Sequence, residues 1–112
     1  HGEGRFVVDS DETLDAIERR NLVAVRYIDP DSGAPADRYP HNPNGARNAI
    51  AGICDPSGRI FGLMPHPEAY LSPYNHPHWQ RQQRNKTLPE KGLGLAVFEN
   101  AVRFAKRELV RA

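Results

Sequence analysis

Arg59-Ile60-Phe61-Gly62-Leu63-Met64-Pro65-His66-Pro67-Glu68 is the stretch on which the reading of this chain turns. Its first six residues are an apolar run that reads as a buried strand. Pro65 and Pro67 lack a backbone N–H and hold φ at about −65°, so the strand stops there and the chain leaves the sheet as a stiff extended segment. That segment carries His66 and Glu68, two positions apart. A histidine held at a strand end beside a carboxylate is what a general base requires. The imidazole accepts the proton, and the anion fixes its tautomer and stabilises its charged form. The plain alternative is a surface turn with an incidental His and Glu, and a lone His-x-Glu does not choose between them.

Working back from this stretch, Asp55-Pro56-Ser57-Gly58 separates it from a second apolar run, Ala49-Ile50-Ala51-Gly52-Ile53-Cys54. Proline at the second and glycine at the fourth position suit a type I turn, so the two runs read as a β-hairpin over 49–54 and 59–64. Both faces are apolar, which predicts cover on both sides. Further back, Leu22–Ile28 is rich in β-branched and aromatic residues and reads as another strand. Val23, Val25 and Tyr27 are expected on one face, with Ala24, Arg26 and Ile28 on the other. The intervening residues 34–48 form a polar loop centred on Tyr39-Pro40-His41-Asn42-Pro43-Asn44-Gly45. This dense turn chemistry suits either plain architecture or the rim of a site. Before it, 11–20 reads as a helix capped by Ser10, with Asp11 and Glu12 at the positive end of the dipole and Asn21 closing it. Leu14 and Ile17 make its narrow apolar stripe. At the N-terminus, Phe6-Val7-Val8 reads as a short strand after His1-Gly2-Glu3-Gly4, a pair of glycines that alone is a weak motif.

On the other side of the motif, 69–91 is expected to be a long, irregular, lid-like loop. Its Tyr70, Tyr74 and Trp79 should pack back on the domain. Residues 92–111 read as a final helix, with Leu95, Phe98, Val102, Ala105 and Leu109 at helical spacing. Thr87-Leu88-Pro89-Glu90 offers an earlier capping box.

With 112 residues, this is one domain or a piece of one. The mean hydropathy of −0.68 leaves modest apolar material for a core. A net charge of +1 speaks against an electrostatically driven nucleic-acid binder. The sequence has no apolar run of about 18 residues for a transmembrane helix and no signal-peptide pattern. A single cysteine cannot form an internal disulfide, which leads to the expectation of a reducing, cytoplasmic setting. The start without methionine leads to the expectation of a fragment or processed product.

Three constellations bear on chemistry. A Cys-His nucleophile would need Cys54, the only thiol. It sits inside an apolar strand rather than on an exposed, sharply turned perch with oxyanion donors, so it reads as a small core residue. A base at His66 therefore needs a nucleophile from outside the chain. His76 and His78, with His66 or His41, match no closed metal-site spacing, and no metal site is expected. No Gly-rich phosphate loop opens a helix.

Taken together, the ordered motifs His1-Gly2-Glu3-Gly4-Arg5-Phe6, Tyr39–Gly45, Ile50-Ala51-Gly52-Ile53, Gly62–Glu68 and Phe98-Glu99-Asn100-Ala101-Val102 resemble one family across essentially the whole chain. It is the glutaminase of phosphoribosylformylglycinamidine synthase, a class I glutamine amidotransferase, and the resemblance is to its C-terminal half. The resemblance implies an α/β fold: the C-terminal portion of a three-layer sandwich around a mixed sheet, with a β-hairpin and a C-terminal helix, residues 1–112 forming a single partial domain. It implies a Cys-His-Glu triad in which His66 and Glu68 are the last two members. It also implies release of ammonia from glutamine to a synthetase partner, which uses it to convert formylglycinamide ribonucleotide to the amidine in purine synthesis. ATP and magnesium are expected only on that partner, and no cofactor in this chain. The family's Gly-x-Cys-x-Gly elbow is not in this sequence, so the chain alone is expected to be inactive. A missing half, dimerisation or strand exchange is expected to cover exposed apolar sheet. Ala69 stands where many members carry Arg. The alternative reading is a non-catalytic module of the same descent that binds a synthetase.

Overall fold

The computed structural model describes residues 4–108, which fall into two compact units divided between Pro65 and His66. His1, Gly2 and Glu3 of the N-terminal motif and Leu109 of the helical stripe lie outside the described residues.

The first unit begins with α1, Asp11–Arg19, whose start is set by a side-chain cap and whose stop is set by a left-handed backbone turn. The Ser10 hydroxyl accepts from the Thr13 N–H at 3.2 Å. At the other end Asn21 takes a left-handed φ of 53°. Its N–H donates to Glu18 and that of Leu22 to Ile17, the paired bonds that close a helix on a left-handed residue. Leu14, 5% exposed, carries the helix's buried contact.

An antiparallel sheet follows in the order β1 (Val23–Arg26), β2 (Ile50–Cys54), β3 (Phe61–Leu63). β1 is shorter than Leu22–Ile28. Its register against β2 shifts on either side of Val25, and Ala24 and Val25 are both exposed, so the expected alternation of faces is lost. Beyond Arg26 the backbone is bound elsewhere: the Tyr27 N–H donates to Ala49, and Tyr27's carbonyl accepts from Ala36. Arg26 itself ties three segments together. Its guanidinium donates to the Asn48 carbonyl at 2.6 Å and pairs with Glu18 of α1 at 2.5 Å.

The β2–β3 hairpin has the expected pairing, with Ile53 opposite Gly62, but β3 is shorter than 59–64. The reason is Asp55. Its Oδ1 accepts from the N–H groups of Arg59 and Ile60, and its Oδ2 from the Ser57 N–H and hydroxyl. Those two residues are thereby held in the turn rather than the ladder. The turn closes through Gly58, whose N–H reaches the Asp55 carbonyl and whose φ is +68°. The Ser57 hydroxyl first, then the Ile60 N–H, hold the Asp55 carboxyl down to about 2 from 3.8. A lowered folded-state value means that the carboxylate's stabilising contribution is complete above about pH 4. It is lost as pH falls through about 2. Asp55→Asn keeps the oxygen that accepts from Arg59 and Ile60 but does not titrate. The urea midpoint of the native chain is therefore expected to fall more steeply between pH 4 and 2 than that of the variant; parallel curves would contradict it.

The core of this unit consists of Leu14, Ala36, Ala46, Ala49, Ile50 and Ala51, around a buried Asn42. Cover on both hairpin faces is found for β2 but not for the edge strand: Ile60 is 73% and Phe61 41% exposed. β3 is three residues long at the sheet edge, and the positions it faces on β2 include Gly52, which offers no side chain to pack on.

The second unit is helical. The stretch expected to be irregular carries 3₁₀ turns at Pro67–Tyr70 and Pro73–Asn75 and a short helix, α2, Trp79–Arg84. Ser72 and Asn75 cap the second turn reciprocally. Tyr74 and Trp79 meet edge to face at 5.4 Å. Thr87 does not cap the last helix; its N–H and hydroxyl both donate to the Gln82 carbonyl and terminate α2. α3 starts at Leu95 and runs to Glu108. Its apolar stripe is open, with Phe98 43% and Val102 54% exposed. No helix among the described residues is long and apolar enough to cross a membrane.

Candidate active site

The sequence places two imino acids around His66, and the backbone responds to each. The Met64 N–H makes the last bond of the strand, to Ala51 at 2.9 Å. Pro65 has no N–H to continue the ladder. His66 is extended, at φ −92° and ψ 96°, and Pro67 opens the 3₁₀ turn at the position where a missing N–H costs nothing. The Ala69 N–H closes on the His66 carbonyl at 3.1 Å. Glu68 thus lies in a tight turn rather than on an extended segment, and this corrects the expectation from sequence. The turn matters for the chemistry. Side chains two apart on an extended chain stand about 7 Å from one another. Here Nδ1 of His66 and Oε1 of Glu68 are 2.6 Å apart.

Both side chains are 58% exposed, so solvent reaches the pair. The hydrogen bond from His66, followed by a backbone N–H, lowers the Glu68 carboxyl below its usual range and keeps it ionised. An ionised carboxylate can only accept, so the proton of the bond belongs to Nδ1. That leaves the Nε2 lone pair as the basic site. Proton abstraction at Nε2 would create an imidazolium already paired with an anion.

The remaining candidates are placed differently. The Cys54 thiol, half-buried at the end of β2, donates to the Leu22 carbonyl at 3.6 Å, and its own N–H binds the same oxygen. The rings of His76 and His78 lie near one another, tilted by 56° with centroids 5.7 Å apart. The Nδ1 of His76 accepts the His78 N–H, so that nitrogen is engaged by backbone. Among the described residues no group of three or more His, Cys, Asp or Glu side chains could hold a metal ion. Gly92 and Gly94, expected inside the helix over 92–111, lie just before α3, and their N–H groups donate to the carbonyls of Leu71 and Tyr70, at the end of the Glu68 turn. Their only signal in the sequence is a Gly-x-Gly directly before an apolar helical stripe.

This geometry is that of a histidine–carboxylate pair carried from a strand end, and the family that the sequence matches is consistent with it. Residues 1–105 match the CobB/CobQ-like glutamine amidotransferase domain, and the chain belongs to that family. Among curated proteins it is 40% identical over 110 residues to the phosphoribosylformylglycinamidine synthase subunit PurQ of Methanococcus maripaludis, covering 93% of this chain and 40% of that protein. The subunit PurQ of Dehalococcoides mccartyi is 43% identical over 107 residues, 96% of this chain and 38% of that one. A phosphoribosylformylglycinamidine synthase of Drosophila melanogaster is 44% identical over 78 residues, 70% of this chain and 6% of its own length. The chain spans about two fifths of the length of the PurQ relatives just named.

Proposed function

We propose that this chain supplies the acid–base part of a glutaminase that feeds ammonia to phosphoribosylformylglycinamidine synthesis, a step of purine synthesis. The observation that carries the reading is the 2.6 Å contact between His66 Nδ1 and Glu68 Oε1, which leaves Nε2 free to work. In this reading a cysteine thiol from outside the chain gives its proton to Nε2 of His66. The thiolate attacks the amide carbon of glutamine, and the C–N bond breaks as Nε2–H returns the proton to the departing ammonia. Water, deprotonated at the same nitrogen, then hydrolyses the thioester to glutamate. Glu68 stays ionised and holds the ring throughout. Cys54 has no part in this, since its thiol is turned to the Leu22 carbonyl.

The names of the relatives support the purine assignment. They also support a synthetase partner, on which ATP and magnesium would act. The three-layer sandwich with a mixed sheet would belong to the complete domain, of which these residues would be the C-terminal portion. Residues 69–91 would then serve as a lid, and the working place would be the cytoplasm. Exposed Val25, Ile60 and Phe61 would be covered by the rest of the domain, by a second copy or by strand exchange.

Glutamate release from glutamine tests the reading. The chain alone is expected to show none. The chain combined with the thiol-bearing half of the amidotransferase and the synthetase is expected to hydrolyse glutamine. Hydrolysis by the chain alone that Cys54→Ser abolishes would refute it. A reconstituted assembly that binds the synthetase but hydrolyses nothing would favour a non-catalytic module.

A further inference from the structure

Lys91-Gly92-Leu93-Gly94 packs against the turn that carries Glu68. The Gly94 N–H donates to the Tyr70 carbonyl and the Gly92 N–H to the Leu71 carbonyl, each at 3.0 Å. A Cβ at Gly94 would stand 1.9 Å from the Pro67 carbonyl oxygen and 2.9 Å from that of Tyr70. One at Gly92 would stand 2.2 Å from the Tyr70 carbonyl oxygen and 2.8 Å from the Leu71 carbonyl carbon. All of these obstructing atoms are backbone, so none can swing aside. Neither glycine is among those with a left-handed φ. What the structure demands at 92 and 94 is the absence of a side chain, not an unusual conformation. Pro67, the residue against which Gly94 is pressed, stands between His66 and Glu68.

We propose that Gly92 and Gly94 are positioning residues for the His66–Glu68 pair. With two N–H donors and no side chains, they let the segment leading into α3 clamp the turn where the imidazole meets the carboxylate. The kinetic consequence rests on the reading of His66 as a general base; the geometric one stands without it.

Gly94→Ala must displace the Pro67 carbonyl by about 1.5 Å or more to reach an ordinary contact. A misplacement of that size costs a reaction about 10²-fold. In the reconstituted glutaminase, kcat is expected to fall by about 10²-fold with KM for glutamine little changed. In ¹⁵N spectra of histidine-labelled protein, the Nδ1-protonated signature of the His66 ring should be lost. Leu93→Ala, at a side chain 74% exposed between the two glycines, should leave both readouts unchanged. The decisive variant is Gly94→Ala in a His66→Ala background. A residue that acts through His66 adds no further loss there, whereas a general structural role subtracts the same factor again. The proposal is overturned by that second loss or by an intact His66 signature in Gly94→Ala. It is also overturned if Gly94→Ala keeps kcat while His66→Ala is inactive, or if Gly94→Ala fails to fold. If His66→Ala costs no activity but Gly94→Ala still abolishes the signature, the clamp stands and the base reading falls.

Discussion

Replacing His66 with alanine is expected to lower kcat/KM for glutamine hydrolysis by about 10²–10⁴-fold, the range that a positioned general base contributes. The loss should fall on kcat, because in the proposed reading Nε2 acts on the thiol and the departing ammonia and not on the bound substrate's recognition groups. Stability should not follow. The pair is 58% exposed on both sides, and exposed ion pairs contribute little to folding. An unchanged urea midpoint beside a collapsed rate is therefore the signature of lost chemistry. Glu68 answers to a different test. Glu68→Gln retains an oxygen that can accept from Nδ1–H but removes the charge that stabilises the imidazolium, whereas Glu68→Ala removes both. The order of loss is expected to be Gln, then Ala, then His66→Ala. In a serine-protease triad the orienting carboxylate is worth roughly 10²-fold less than the base. Activity of His66→Ala within about threefold of the native level would sink the general-base reading.

The elements that the sequence made legible are those fixed by short-range chemistry. Ser10 and Asn21 announce both ends of α1, and Asp55-Pro56-Ser57-Gly58 announces the hairpin turn. Pro65 announces the end of β3, and His66-Pro67-Glu68 announces the pair. What was not legible depends on where backbone groups find partners farther away. β1 looked longer than it is because nothing in Tyr27-Ile28 reveals that their ladder is interrupted by a bulge at Val25. Thr87-Leu88-Pro89-Glu90 has the residues of a capping box, but the Thr87 hydroxyl and N–H both donate to the Gln82 carbonyl and no helix starts there. The turn at Pro67–Tyr70 has no distinct signal, because proline suits an extended segment and a 3₁₀ start equally well. The period of the α3 stripe does not say whether anything covers it. Gly92 and Gly94 have ordinary backbone angles, so no turn signal marked them; only the approach of the Pro67 and Tyr70 carbonyls does.

Asn42 decides whether the loop around it is architecture or the rim of a site, and its substitution should have the largest effect on stability. The residue is 2% exposed. Its Nδ2 donates to the carbonyls of Ala36 and Ala46 at 3.1 and 3.0 Å, and its Oδ1 accepts the Ala46 N–H at 2.9 Å. The side chain therefore stands in for a strand, pairing two segments that have no ladder between them. Asn42→Ala removes these bonds and strands buried backbone groups, at about 1 kcal/mol net for each bond, or roughly 3 kcal/mol in all. Asn42→Asp keeps the shape and the Oδ1 contact but sets an oxygen against two carbonyl oxygens. At neutral pH it should cost more than alanine, about 3–5 kcal/mol, as an uncompensated buried charge does. That is a large part of the 5–15 kcal/mol or so that holds a small domain together. The sign of its pH dependence follows from burial, which raises the folded-state pKa of the introduced carboxyl above about 3.9. The excess cost is absent below that value and grows as pH rises, until the folded-state pKa is passed. Urea unfolding at pH 4 and pH 7 should therefore show the aspartate variant close to alanine at the lower pH and well below it at the higher. Equal midpoints for the two variants at pH 7 would mean that the loop yields around position 42. Asn42 would then not be the peg that holds residues 36–46 against the core.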